Sequence, residues 1–233
     1  MADARQHRDR FDSKAHEVAR FGAQRGLLKS AVHATVTLRV VDEQRAAALE
    51  GKPFILVANH SSHLDAPVIL SALPWRIAKT LAIGAAADYF FDVWWRRGLT
   101  ALFFNAFPVQ RSGRRKQVVS AKSLLERGIP VLLFPEGTRS KTGRMADFRP
   151  GSAALATNLG VPILPVAIIG AHDAHPRGTS WPKPGRLPVT VVFGDAIAPN
   201  EGENARDLTT RVRAEVVRLL AAHGGPDPRE LQA

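Results

Sequence analysis

Phe54-Ile55-Leu56-Val57-Ala58-Asn59-His60-Ser61-Ser62-His63-Leu64-Asp65 is the stretch whose reading decides the fold. The apolar run 54–57 predicts a strand covered on both faces, and the apolar run 68–73 predicts a helix. Between them lie seven mostly polar residues, 59–65. Open α/β sheets place their ligand crevices at the carboxyl ends of strands, and there His60 and Asp65 offer a base and a group to orient it. Pro67 fits a first helical turn, so Asp65 lies near the helix start with its side chain able to turn towards His60. Two other readings stay open for these residues alone. Asp65 could cap the helix while His60 sits in a loop. His60, His63 and Asp65 could bind metal, although H-x-x-H-x-D has no familiar metal-ligand spacing and no metal is expected.

The rest of the chain bounds the answer. At 233 residues and 45% hydrophobic content it can bury one sizeable core. The absence of cysteine excludes disulfides and a thiolate nucleophile, and fits a cytoplasmic setting. A formal charge of +11 implies an anionic partner: nucleic acid, an acidic membrane surface or a phosphorylated substrate. Residues 1–10 are charged and lack the apolar core of a signal peptide. The longest uncharged run, 151–171, is broken by Asn158, Gly160, Pro162 and Pro165, so no transmembrane helix is expected and any membrane contact is peripheral.

Residues 10–29 place Phe11, Ala15, Val18, Phe21 and Leu28 near helical spacing, which predicts an amphipathic helix that either packs on the body or lies on a membrane. Strands are predicted at 34–41, 54–57, 78–83, 107–111, 131–134, 163–169 and 189–193, and helices at 118–127, 151–159 and 204–223. That alternation predicts an α/β fold, a single domain with a central mixed, largely parallel β-sheet flanked by helices. Residues 1–50 would carry the amphipathic helix and first strand, 51–223 the catalytic domain, and 224–233 a disordered tail. Residues 88–97 are the most aromatic stretch, and tryptophan beside arginine suits a membrane interface as well as a core. His172 and His175 read as surface residues of a loop.

Two further blocks bear on chemistry. Phe107-Pro108-Val109-Gln110-Arg111 reads as a strand that presents Arg111 to the crevice, and a guanidinium grips phosphate through a planar fork. Pro135-Glu136-Gly137-Thr138-Arg139-Ser140 follows the apolar strand 131–134. There Gly137 permits close backbone approach, Thr138 adds a hydroxyl and Arg139 a second cation.

These blocks, in their order and with Val161-Pro162-Ile163-Leu164-Pro165-Val166 and Phe148-Arg149-Pro150-Gly151, resemble the glycerolipid acyltransferases, the family of the 1-acylglycerol-3-phosphate acyltransferases. About half the chain carries the likeness. It implies that His60 is the general base that takes the proton from a glycerol hydroxyl, that Asp65 orients its imidazole, and that the oxygen attacks an acyl thioester without an acyl-enzyme. It gives Arg111 and Arg139 to the substrate phosphate, and Glu136 with Gly137 to the glycerol moiety. Gln110 departs from the acidic residue frequent there in the family. The implied partners are a lysophospholipid acceptor, most simply 1-acylglycerol-3-phosphate, a donor that is acyl-CoA or acyl carrier protein, and an anionic membrane surface on the cytoplasmic face. No cofactor is implied. A thioesterase using the same pair with water is the nearer alternative, and a nucleic-acid-binding domain the more distant, since no base-stacking motif accompanies the charge.

Overall fold

The structure is a computed structural model that describes residues 14–86, 103–109 and 120–225. The aromatic stretch 88–97, Gln110, Arg111, the cations at 114–116 and the tail from 226 lie outside the described residues. Ile55–Ala58 forms β2, and all four of its residues are buried. Leu56 and Ala58 enter one core with Ile69, Leu73 and Leu164, while Ile55 and Val57 enter another with Leu124, Val131 and Ile163. An unbroken apolar run is what a strand needs when helices cover both faces.

Around β2 the sheet is built from β1 (Thr37–Val41), β3 (Ala82–Ala86), β4 (Phe107–Val109), β5 (Val131–Leu133), β6 (Ile163–Ile169) and β7 (Pro188–Phe193). Its seven strands run in the order β1-β7-β6-β2-β5-β3-β4. Every neighbouring pair is parallel except β6 with β7. The expected mixed, largely parallel sheet is therefore present, and β1 makes the amino-terminal segment part of it. Pro165 is tolerated inside β6 because Val166 pairs with Phe193 but Ile163 with Ile197, a bulge at which no ladder hydrogen bond from residue 165 is required.

Helices α3 (Glu43–Ala47), α4 (Asp65–Ala72) and α5 (Trp75–Ala78) cover one face. On the other lie α6 (Ala121–Glu126), α7 (Gly151–Leu159) and α9 (Ala205–Ala222). The expected strand at 78–83 is displaced to β3, because Pro74 starts the helical turn α5. At the amino terminus α1 (Lys14–Phe21), a wider i→i+5 winding over Gly22–Leu28, and α2 (Lys29–Thr35) form one continuous arm. It displaces the start of β1 from residue 34 to Thr37. The arm's inner side buries Arg20, Ala23, Gln24 and Val32, and Gln24 Nε2 donates to Phe103 O at 2.7 Å. Phe21 meets Trp75 edge-on at 4.8 Å, while Val18 (72% exposed) and Leu27 (66%) face solvent. Packing on the body and an apolar outer side thus coexist.

Candidate active site

Because β2 and β5 are parallel neighbours, the loops that follow them open at the same end of the sheet. The first carries His60 and the second carries residues 135–140. β4 also runs parallel in this sheet, so its carboxyl end, two residues before Arg111, points the same way.

Asp65 is the first residue of α4 and is fully buried. It does not cap the helix. Its Oδ2 accepts from His60 Nδ1 at 2.8 Å, from Ser61 N at 2.7 Å and from Ser62 N at 2.8 Å. Two backbone amides therefore fix the carboxylate that in turn fixes the imidazole, and a buried carboxylate beside Nδ1 selects the tautomer whose Nε2 is free to accept a proton. The ring itself stacks on Phe134, centroids 4.0 Å apart and planes 17° from parallel. Its side chain remains 21% exposed.

The third block grips the backbone of the first. His60 N donates to Glu136 Oε1 at 2.6 Å, and Ala146 N donates to Glu136 Oε2 at 2.9 Å. Ser140 N donates to His60 O at 2.8 Å. Both main-chain groups of His60 are thus held by residues 136–140. Glu136 is only 4% exposed, and burial pushes its carboxyl up to about 7 against the pull of those two amides. The sequence reading gave Glu136 to the glycerol moiety. In the structure both of its oxygens accept main-chain amides, so the side chain also ties the His60 loop to the segment around Ala146.

Gly137 sits at φ +75°, and a Cβ there would lie 3.1 Å from the guanidinium of Arg149. The glycine thus lets an exposed cation from the segment before α7 lie against the loop, a contact that the sequence reading missed. Thr138 is exposed and Arg139 is half-buried. Arg139 O accepts from Arg177 Nη1 at 2.8 Å. Partial burial of its ring, then the positive charge of Arg139 and the neighbouring His175 and His60, pushes His63 down to about 4, so it is a neutral neighbour of the cations.

His175 corrects the expectation of a surface loop. It follows the helical turn α8 (Ala171–Ala174), is 7% exposed, and its carbonyl accepts from Ser62 Oγ at 2.8 Å. His172 packs against Gly143, where a Cβ would lie 2.9 Å from the ring. Both histidines brace the site loops. Their signal was the apolar strand that delivers them straight to the crevice end of the sheet. Among the described residues no three His, Asp or Glu side chains are grouped as a metal site.

A buried carboxylate orienting a partly exposed imidazole beyond the carboxyl ends of parallel strands is an arrangement that suits an α/β protein to general-base chemistry. The Acyltransferase family model matches residues 33–169, and the chain belongs to that family. A 1-acyl-sn-glycerol-3-phosphate acyltransferase of Chlamydomonas reinhardtii is 34% identical over 174 residues, 72% of this chain and 49% of that protein. One from Pseudomonas aeruginosa is 43% identical over 103 residues, 42% of this chain and 37% of that protein. The chain thus spans half or less of these relatives' lengths. The crystal structure of the 1-acyl-sn-glycerophosphate (LPA) acyltransferase PlsC from Thermotoga maritima superposes with a TM-score of 0.71 at 26% identity, covering 91% of this chain and 82% of that one.

Proposed function

We propose that the protein transfers a fatty acyl group from an acyl thioester, acyl-CoA or acyl carrier protein, to the free hydroxyl of 1-acylglycerol-3-phosphate, giving phosphatidic acid. The observation that carries this is the 2.8 Å contact between His60 Nδ1 and an Asp65 already fixed by two amides. Nε2 of His60 takes the hydroxyl proton as the oxygen attacks the thioester carbonyl, and Asp65 stabilises the imidazolium that forms. The tetrahedral oxyanion then collapses, the C–S bond breaks, and the departing thiolate takes the proton back from Nε2. The new C–O bond is the ester, and the enzyme returns to its starting state without a covalent intermediate.

Arg139 and Arg111 bind the acceptor phosphate, and Glu136 with Gly137, followed by Thr138, positions its glycerol from the loop whose Glu136 carboxylate also holds the His60 backbone. Support comes from Arg139's place beside the His60 loop, from the direction of β4, and from relatives named for a phosphate-bearing substrate. The acceptor and product are lipids, so the enzyme works at an anionic membrane surface. We assign it to the cytoplasmic face, whose anionic lipids suit a charge of +11. Among the described residues no helix is long and apolar enough to cross a membrane.

The test is to incubate the pure protein with a panel of lysophospholipids and labelled acyl thioesters and to identify products by mass spectrometry. Phosphatidic acid formed from the phosphate-bearing acceptor is the expected result. Thioester hydrolysis at one rate with and without lysophospholipid would overturn it in favour of a thioesterase.

A further inference from the structure

A groove of about 430 Å³ opens between α9 and the segment that precedes α7. Asp147, Phe148 and Pro150 form one wall, and Arg206, Thr209 and Arg213 the other. None of these residues enters the chemistry described above, yet the groove begins beside it. Asp147 adjoins Ala146, whose amide is held by the same Glu136 carboxylate that holds His60. Arg149, between Phe148 and Pro150, lays its guanidinium against Gly137. The groove is therefore joined to the His60 loop through one side chain and one glycine.

Its chemistry suits a phosphorylated nucleotide. Arg206 and Arg213 outnumber the single carboxylate, Asp147, which pairs with Arg213 at 3.3 Å and is itself 96% exposed. So exposed a carboxylate holds its partner weakly, and an incoming phosphate offers the guanidinium a better bidentate match. Phe148 packs its ring on two core clusters and supplies a fixed apolar wall for a purine. The hydroxyl protons of Thr209 and Thr210 are donated to Ala205 O and Arg206 O, which leaves their oxygens as acceptors for an exocyclic amine. A cleft of about 430 Å³ has room for a nucleotide.

We infer that this groove binds the 3′-phosphorylated adenosine diphosphate end of coenzyme A, so that the pantetheine arm passes Arg149 and carries the thioester to His60. The inference rests on the acyl-transfer function proposed above and names its donor as acyl-CoA. Acyl carrier protein presents the same arm without adenine or 3′-phosphate, and would leave the groove unused.

Adenosine 3′,5′-bisphosphate titrated into the wild-type protein by calorimetry should bind saturably. Arg206→Glu should abolish that binding and Arg213→Gln should weaken it about tenfold, the scale of one lost charge-assisted hydrogen bond. In parallel, kcat/KM is measured for palmitoyl-CoA and palmitoyl-pantetheine with one acceptor. The wild type should prefer the CoA thioester, and that preference should collapse towards unity in both variants. Arg206 is exposed, so its reversal keeps the test decisive even if Arg213→Gln misfolds. Absence of bisphosphate binding, binding unchanged by Arg206→Glu, equal wild-type use of the two donors, or turnover of acyl carrier protein thioester alone would each overturn the assignment. If neither thioester reacts while the bisphosphate binds and Arg206→Glu abolishes it, the groove stands and the acyl-transfer proposal falls.

Discussion

In the proposed mechanism His60 and Asp65 act as a unit, so each should be needed for turnover and neither for folding. His60→Ala removes the base and should abolish transfer. Asp65→Asn keeps an acceptor for the Ser61 and Ser62 amides but loses the charge that favours imidazolium, and kcat should fall on the order of 10³ to 10⁴-fold. Circular dichroism beside a product assay checks both, and near-normal turnover in His60→Ala would end the mechanism. Arg139→Ala and Arg111→Ala should each cost about 1.5 to 3 kcal/mol in kcat/KM for the phosphate-bearing acceptor, with lysine rescuing only in part. Unchanged kcat/KM in both would remove the phosphate from these two cations. Glu136 makes a different prediction, because its native pKa of about 7 lies above its ordinary value of 4.5. Burial is the main cause, with Asp65 adding to it and Arg213 opposing it. Between those two values the native protein holds a proton that the unfolded chain has lost. Stability therefore falls as pH rises through that window and is flat above it, a loss on the order of 3 kcal/mol. Glu136→Gln cannot ionise and should flatten the slope in urea unfolding at pH 5, 6 and 7, while presenting an amide N–H to a backbone N–H and so loosening the His60 loop. A variant with the wild-type slope would assign the pH dependence to another group.

At the scale of elements, the site depends on how β2 meets β6. Asn59 extends that pairing with its side chain: Nδ2 donates to Ile168 O at 2.9 Å, and Oδ1 accepts from Ile168 N at 2.8 Å. Asn59→Leu keeps the volume but strands two buried main-chain groups of β6, and should cost about 2 to 5 kcal/mol in equilibrium unfolding. A loss below 1 kcal/mol would mean that relaxation or water satisfies Ile168. Elements with local punctuation were legible along the chain. Residues 151–159 and 163–169 fall where expected because Pro150 and the left-handed Gly160 end the helix on either side, and Val161-Pro162 opens the strand. The pairing of His60 with Asp65 was legible too, since five residues across a strand-to-helix turn bring them together. Contacts between distant segments were not. Asn59 meets a partner 109 residues away and Glu136 one 76 residues away. A glutamate in a Pro-Glu-Gly-Thr loop looks the same whether its carboxylate faces a substrate or the amides of another loop. His175 looked like a surface residue because polar sequence around it gives no sign that Ser62 and Thr179 close over it.

For the whole molecule, the question raised by the proposed function is how a protein with no membrane-crossing helix among its described residues would reach a lipid acceptor. The amino-terminal arm is anchored on its inner side by buried Arg20, Gln24 and Val32, so Val18 and Leu27 are held outward on a fixed support. Trp181, 82% exposed, and the aromatic stretch at 89–95, outside the described residues, are the other candidates for insertion. Two terms should hold the protein to a bilayer. Each Lys or Arg near an anionic surface adds about 1 kcal/mol and is screened by salt, whereas each inserted aliphatic side chain adds about 1.5 to 3 kcal/mol that salt does not weaken. Sedimentation with liposomes should therefore show binding that rises with anionic lipid and falls in high salt to a residual level. Val18→Ser with Leu27→Ser should lower that residue of binding while leaving its salt-sensitive part in place, and Trp94→Ala with Trp95→Ala should do the same if those rings insert. Wild-type protein that ignores anionic liposomes would refute membrane binding outright. If the arm variant binds as the wild type at every salt concentration while the tryptophan variant does not, the arm is packing alone and the aromatic stretch carries the enzyme to its substrate.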